Sequence, residues 1–191
     1  MSPLASELVA SEAERACLER LRELAGATDG PMEGHCVRCF LLAERMSALR
    51  GLELDRELLL CAALLHDIGI YPGAATKRSY VSDGADLGRM LLAPLGWPEE
   101  RLQRCAEAIE RHHELRPQWH HGNEVELLRR ADLIELSAGL YTAWLAHGEV
   151  AAVRRRVSPA GFFPEIMRLL AGHIRSRPAA VPGIFVSALR R

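Results

Sequence analysis

A histidine and an aspartate stand side by side at 66 and 67, directly after the eight-residue apolar run LLLCAALL of Leu58 to Leu65. A carboxylate carried into a core without a partner costs several kcal/mol or gives up its charge. The pair therefore calls for a compensating cation. His35 lies on the apolar stripe of the preceding segment, and Asp132 interrupts the stripe Leu128, Ala131, Leu136 in LLRRADLIELS. Taken singly, each has an ordinary explanation: a core histidine is hydrogen-bonded, and an inward aspartate caps a helix or pairs with arginine. Together they supply two imidazoles and two carboxylates, a donor set that suits Fe, Mn, Co or Zn and balances its charge. Four protein ligands on an octahedral ion leave positions for water or substrate, and the ion lowers the pKa of bound water toward about 7.

Neighbouring residues on a helix diverge by about 100°. His66 and Asp67 therefore need donors from other helices, or a helix end where the geometry relaxes, and Gly69 supplies such an end. Nearly every long segment has helical period. Leu18, Leu21 and Leu24 stripe a first helix that stops near Gly26. A second runs from Pro31 to Gly51 with His35, Cys39, Leu42 and Met46 on one face. Asp55 caps a third, apolar all round in its middle and so expected at the centre, which reaches His66 and Asp67. Residues 70–82 read as loop, followed by helices over 84–93 and 99–115, a loop from Pro117 to Gly122, and a long helix from Glu124 to His147. Pro159 and Pro164 precede a last helix to about Arg175, then a Pro-containing tail. No strand alternation is found, so the expected fold is all-α.

The 191 residues suit one domain: an N-terminal helix over 1–25 that packs on the rest, a core over 26–150, and a C-terminal helical extension over 151–191. A formal charge of −1 provides no global field to hold nucleic acid. The longest apolar run is far short of the roughly 20 residues of a membrane span. The opening MSPLASELVASEAERACLER carries glutamates and lacks an apolar region, so no export signal is expected. Five cysteines then read as reduced cytoplasmic thiols. Cys36 and Cys39 form a C-x-x-C pair without a second pair, read as two small core-facing residues one turn apart.

The order His35, then His66-Asp67 in ALLHDIG, then Asp132 in RRADLIE resembles the H…HD…D signature of the HD-domain superfamily, helical metalloproteins that are often phosphohydrolases. The likeness covers roughly residues 30 to 145. It implies a helical bundle with a buried site in which His35, His66, Asp67 and Asp132 hold one divalent transition-metal ion. It also implies an extra histidine from AIERHHE, where His112 shares a face with Ala108 and Ile109 and His113 is the second candidate. Asp67, His112, His113 and Asp83 are the catalytic candidates. Two-metal members carry a histidine in the helix after the HD loop, where this chain has Asp83. The stretch DGAD at 83–86 is also similar to that of the cyanamide hydratase-like subgroup, whose members carry one metal. Asp83 reads equally as the N-cap of a helix starting at Gly84, with Asp86 in its first turn.

Lys77, Arg78 and Arg116 flank the motif segments and are the candidates to meet an anionic substrate; surface charge is the plainer reading. His120 and His121 in a polar loop, and His147 and His173 near helix ends where a cation is favoured, read as structural or solvent-facing. The expected activity is hydrolysis of a nucleotide or small phosphoester by metal-activated water. The alternatives are hydration or C–N hydrolysis of a small uncharged substrate, and a non-catalytic metal-binding sensor. The expected partner is a small molecule, with no nucleic acid and no membrane; homo-oligomerisation stays open. Ile184, Phe185 and Val186 would be the place to look for a protein partner of a sensor.

Overall fold

A computed structural model describes residues 4–74 and 79–176. Lys77 and Arg78, and the tail with Ile184, Phe185 and Val186, lie outside the described residues. The chain runs α1 (Leu4–Leu8), α2 (Glu12–Ala25), α3 (Pro31–Arg50), α4 (Arg56–Leu65), a 3-10 turn at Ile68–Ile70, α5 (Tyr80–Leu92), α6 (Glu99–Arg111), α7 (Asn123–Leu136), α8 (His147–Arg156) and α9 (Phe162–Ser176). No strand occurs among the described residues, and the fold is all-α. No described helix is long and apolar enough to cross a membrane.

Capping chemistry sets the elements that matter here. In α2, Ser11 and Glu14 form a capping box, and Gly26 closes the other end. Pro31 opens α3 and Gly51 closes it. The Asp55 side chain accepts from the Leu58 amide at the start of α4 and is itself held by Arg101. Every residue of Leu58–Leu65 is at most 1% exposed. With α2, α3, α5, α6 and α7 packed around it, α4 is the central helix. Truncating one of its leucines to alanine is of the order that costs 2–5 kcal/mol in such cores, roughly.

Gly69 explains why a glycine follows the histidine–aspartate pair. A Cβ there would lie 1.9 Å from the Tyr80 carbonyl oxygen, closer than any side chain tolerates. The first turn of α5 therefore rests directly on the 3-10 turn, and Tyr80 is carried to the site.

Several boundaries differ from expectation. The helix after the loop starts at Tyr80, not Gly84, and its cap is Ser79, whose hydroxyl accepts from the Ser82 amide. Asp83 is thus not the cap; it is buried in the first turn of α5. α6 stops at Arg111 rather than 115. The long helix expected over 124–147 ends at Leu136, because Ala138 and Gly139 take left-handed backbone (φ 55° and 83°) and the Gly139 amide turns back onto the Ile134 carbonyl. Leu136 is half-exposed and no part of the core. His147 opens α8, the end where a cation is disfavoured, and is exposed. His173 is buried and packs edge-on against the Tyr80 ring.

Candidate metal centre

Four helices deliver their polar residues to one buried point. His35 lies near the start of α3, His66 and Asp67 at the end of α4, His112 and His113 at the end of α6, and Asp132 within α7. His35 Nε2 is 3.1 Å from His66 Nε2, 3.3 Å from Asp132 Oδ1 and 3.7 Å from Asp67 Oδ2. His66 Nε2 is 3.5 Å from Asp67 Oδ2 and 3.9 Å from Asp132 Oδ1. Metal–ligand bonds of about 2.0–2.2 Å place adjacent donors about 3 Å apart, a spacing that His35 with His66 and His35 with Asp132 approach; Asp67 groups within 4.8 Å with His66 and His112 instead. The other carboxylate oxygens face the second imidazole pair. Asp67 Oδ1 is 3.5 Å from His112 Nε2, and Asp132 Oδ2 is 3.1 Å from His113 Nδ1.

Local structure fixes the tautomers. His66 Nδ1 is 2.8 Å from the Ala63 carbonyl oxygen, and His112 Nδ1 is 2.6 Å from that of Ile109. A carbonyl only accepts, so each Nδ1 carries the hydrogen and donates it. Both carbonyls belong to the last turn of their helix, where no backbone N–H is left to serve them. Each histidine thus satisfies its own helix end and leaves the Nε2 lone pair aimed inward, the arrangement typical of metal-binding imidazoles. His112 Nε2 and Asp132 Oδ1 are buried without a hydrogen-bond partner. Two imidazole nitrogens 3.1 Å apart are bridged either by one N–H, with His35 Nε2 donating to the His66 Nε2 lone pair, or by a metal ion.

The titration directions agree with a cation site. Burial pushes His66 down to about 4, against the pull of Asp67, so its ring is neutral near pH 7. Burial would raise the Asp67 carboxyl, but His66, His112 and His35 hold it below the usual carboxylate range. Burial acts likewise on Asp132, which His113 and His35 hold well down. Against burial, Cys39, Asp132 and Glu135 hold His35 well up and Asp132 holds His113 up, so without an ion these rings offset the two buried carboxylates, and a divalent ion would take over that charge.

Sequence reading missed the surround. Glu135 Oε2 lies 3.7 Å from His35 Nδ1. Glu135 is clamped by Arg38 through Nε and by Arg154 Nη1 at 2.7 Å, while Arg38 Nη1 also donates to the Ser158 carbonyl at 2.9 Å. Phe162 of α9 stacks on the His35 ring at 4.1 Å, nearly parallel. The Tyr80 ring stands 6.3 and 6.1 Å from those of His112 and His113. The loop after His113 is tied down through Glu126, which accepts from the Gln118 amide and from Arg129 and Arg130, while Arg129 reaches the Glu114 carbonyl. The spacing of Glu135, one turn after Asp132, was the available signal.

The structure does not gather every expected residue at this point. Arg116 is exposed, and its carbonyl accepts from Gln118 Nε2 within the loop. For His120 and His121 the expectation is a structural or solvent-facing role: His120 is exposed, and His121 pairs with Glu107 at 3.0 Å.

A comparison with curated proteins gave no match. A family model for the HD domain matches residues 32–137, which begin just before His35 and end just after Asp132. That span is more than half of the chain and holds all four gathered donors in the family's order, so the chain belongs to the HD domain family, whose domains bind divalent metals and are mostly metal-dependent hydrolases.

Proposed function

We propose that this chain is a metal-dependent phosphohydrolase acting on a nucleotide or another small phosphoester, with one ion held by His35, His66, Asp67 and Asp132. The observation that carries the reading is the pair of buried carboxylates, each with one oxygen toward His35 and His66 and the other toward His112 or His113. A divalent ion there supplies Lewis acidity and a water that ionises near neutral pH. Asp67 and Asp132 balance its charge. His112, fixed by the Ile109 carbonyl through Nδ1, serves the leaving group as a general acid when Nε2 carries a proton. The His113 side chain is 25% exposed, which suits passing a proton between the site and solvent. Glu135 holds the His35 ring in place. In this reading the segment 26–150 supplies the donors, and the extension 151–191 closes one wall through Phe162.

A phosphoryl group also needs cations. Lys77 and Arg78, which stand between the His66-Asp67 pair and Asp83 in the sequence, are assigned that role. Replacing either by alanine lowers kcat/KM for a phosphoester on the order of 10²-fold. Asp83 is not needed for the ion, and Asp83→Asn keeps the metal stoichiometry near one.

A second reading, hydration or C–N hydrolysis of a small uncharged substrate, is favoured by one observation: the buried Arg38 and Arg129 are already committed to Glu135 and Glu126. A panel of nucleoside monophosphates and simple phosphoesters, assayed with Mn, Co and Fe, separates the two. Turnover that disappears in Asp67→Ala together with the metal supports the phosphatase. Hydration of a nitrile-like substrate with no phosphoester turnover replaces it. Inactivity toward both classes, with metal bound, leaves a metal-binding sensor.

A further inference from the structure

Cys39 follows His35 by one turn on α3 and is fully buried. Its Sγ lies 3.7 Å from His35 Nε2 and 3.9 Å from Nδ1. One ligand atom each from His35, Cys39, His66 and Asp132 forms a set within 4.8 Å of one another, a grouping that does not include Asp67. Residues at i and i+4 share a helix face, the spacing by which one helix presents two ligands to one ion. Asp132 Oδ1, buried and without a hydrogen-bond partner, belongs to the same cluster.

We propose that Cys39 is an alternative ligand of this centre: a thiophilic divalent ion is held by His35, Cys39, His66 and Asp132, with Asp67 left to His112. The proposal rests on the metal-centre reading given above and adds a choice between two donor sets. Two nitrogens, a thiolate and a carboxylate make a tetrahedral set of the kind that zinc fills. The thiol proton is released to solvent as the sulfur–metal bond forms, so thiolate and Asp132 together offset the 2+ charge. Asp67 Oδ1 then keeps its place 3.5 Å from His112 Nε2. Harder ions such as Mn2+ favour carboxylate and water over sulfur and take Asp67 instead. A closed set of four protein ligands has no position for substrate, so thiophilic ions bind this centre tightly and support turnover poorly.

The test is spectroscopic. The full chain, freed of metal and titrated with Co2+, develops a sulfur-to-cobalt charge-transfer band in the near ultraviolet, which is absent in Cys39→Ser and Cys39→Ala. In competition titrations Cys39→Ala lowers the Zn2+ over Mn2+ affinity ratio about tenfold or more, with Mn2+ affinity little changed. Circular dichroism checks that the variants fold. If they do not, X-ray absorption on the Zn2+-loaded wild type decides, where one Zn–S bond of about 2.3 Å is expected. Cobalt bound without the band, a band that persists in Cys39→Ser, or zinc with no sulfur neighbour overturns the proposal. If bound ion is lost in His66→Ala but shows no thiolate signature, only this inference fails. If no ion binds at all, the metal centre fails with it.

Discussion

Among the buried carboxylates of helix α7, Glu126, Asp132 and Glu135 are treated in two different ways. Glu126 and Glu135 are each neutralised by two arginines, Arg129 with Arg130 and Arg38 with Arg154. Asp132 lies between them in sequence, is equally buried, and meets only imidazoles, with Oδ1 lacking a hydrogen-bond partner. An arginine is a permanent counter-charge, so Glu126 and Glu135 are parts of the frame. An imidazole is a counter-charge that can be given up: against burial, Cys39, Asp132 and Glu135 hold His35 upward and Asp132 holds His113 upward, and loss of those protons leaves the carboxylate to an exchangeable cation. The difference separates a carboxylate that holds the helix in place from one kept available for an ion.

The sharpest way to break this comparison is Asp132→Asn. It should abolish tight metal uptake and lower turnover by more than the 10–100-fold typical of losing an outer partner. The metal-free fold should lose less stability than Glu126→Ala does, because the imidazoles left behind can shed their protons whereas stranded arginines cannot. Metal analysis, kinetics and urea unfolding of the stripped protein measure these; a large loss of metal-free stability would make Asp132 a frame residue. Glu126→Ala should do the converse. Stranding Arg129 and Arg130 should cost roughly 3–5 kcal/mol in urea unfolding, while metal stoichiometry stays near one. Falling stoichiometry with intact stability would collapse the distinction.

Chelation gives a smaller effect. At a hundredfold excess over Kd, metal should add about 2.7 kcal/mol to wild-type stability. That increment should vanish in Asp132→Asn and persist in Glu126→Ala, as thermal melts with and without chelator will report. Acid gives the smallest. Burial would raise Glu126, but Arg129, the Gln118 amide and Arg130 hold it below the usual glutamate value. The unfolded chain therefore takes up its proton first as pH falls. The stabilisation is present above about pH 4.5 and is lost as pH drops through the folded value. Glu126→Gln should flatten that part of the stability–pH curve, and an unchanged slope would remove Glu126 from the account.

The helices near the site were legible wherever a cap was spelled out. Pro31, Gly51, Asp55 and Gly26 set limits that hold to about a residue. Where two capping types competed, reading failed: Ser79 took the role given to Asp83, because the close approach at Gly69 draws Tyr80 into helix. The break after Leu136 was hidden because Leu140, Tyr141, Trp144 and Leu145 continue a helical spacing past Gly139. The residues His35, His66, Asp67 and Asp132 stood out as polar groups on apolar stripes, and the structure brings them together. Glu135 and Arg38 did not, because charges one turn apart look like a solvated face. Their meeting spans 97 residues of sequence, and only packing reveals it.

His66 and His112 both occupy the C-cap of their helices, and that placement has an electrostatic consequence. Each helix carries roughly half a negative elementary charge at that end. α4 and α6 therefore turn their negative poles toward the point where the donors meet, while α3 and α5 bring their positive first turns up beside His35 and Tyr80. The backbone thus lays a field of both signs across one small site, negative behind His66 and His112 and positive behind His35 and Tyr80, with no ionisable group involved.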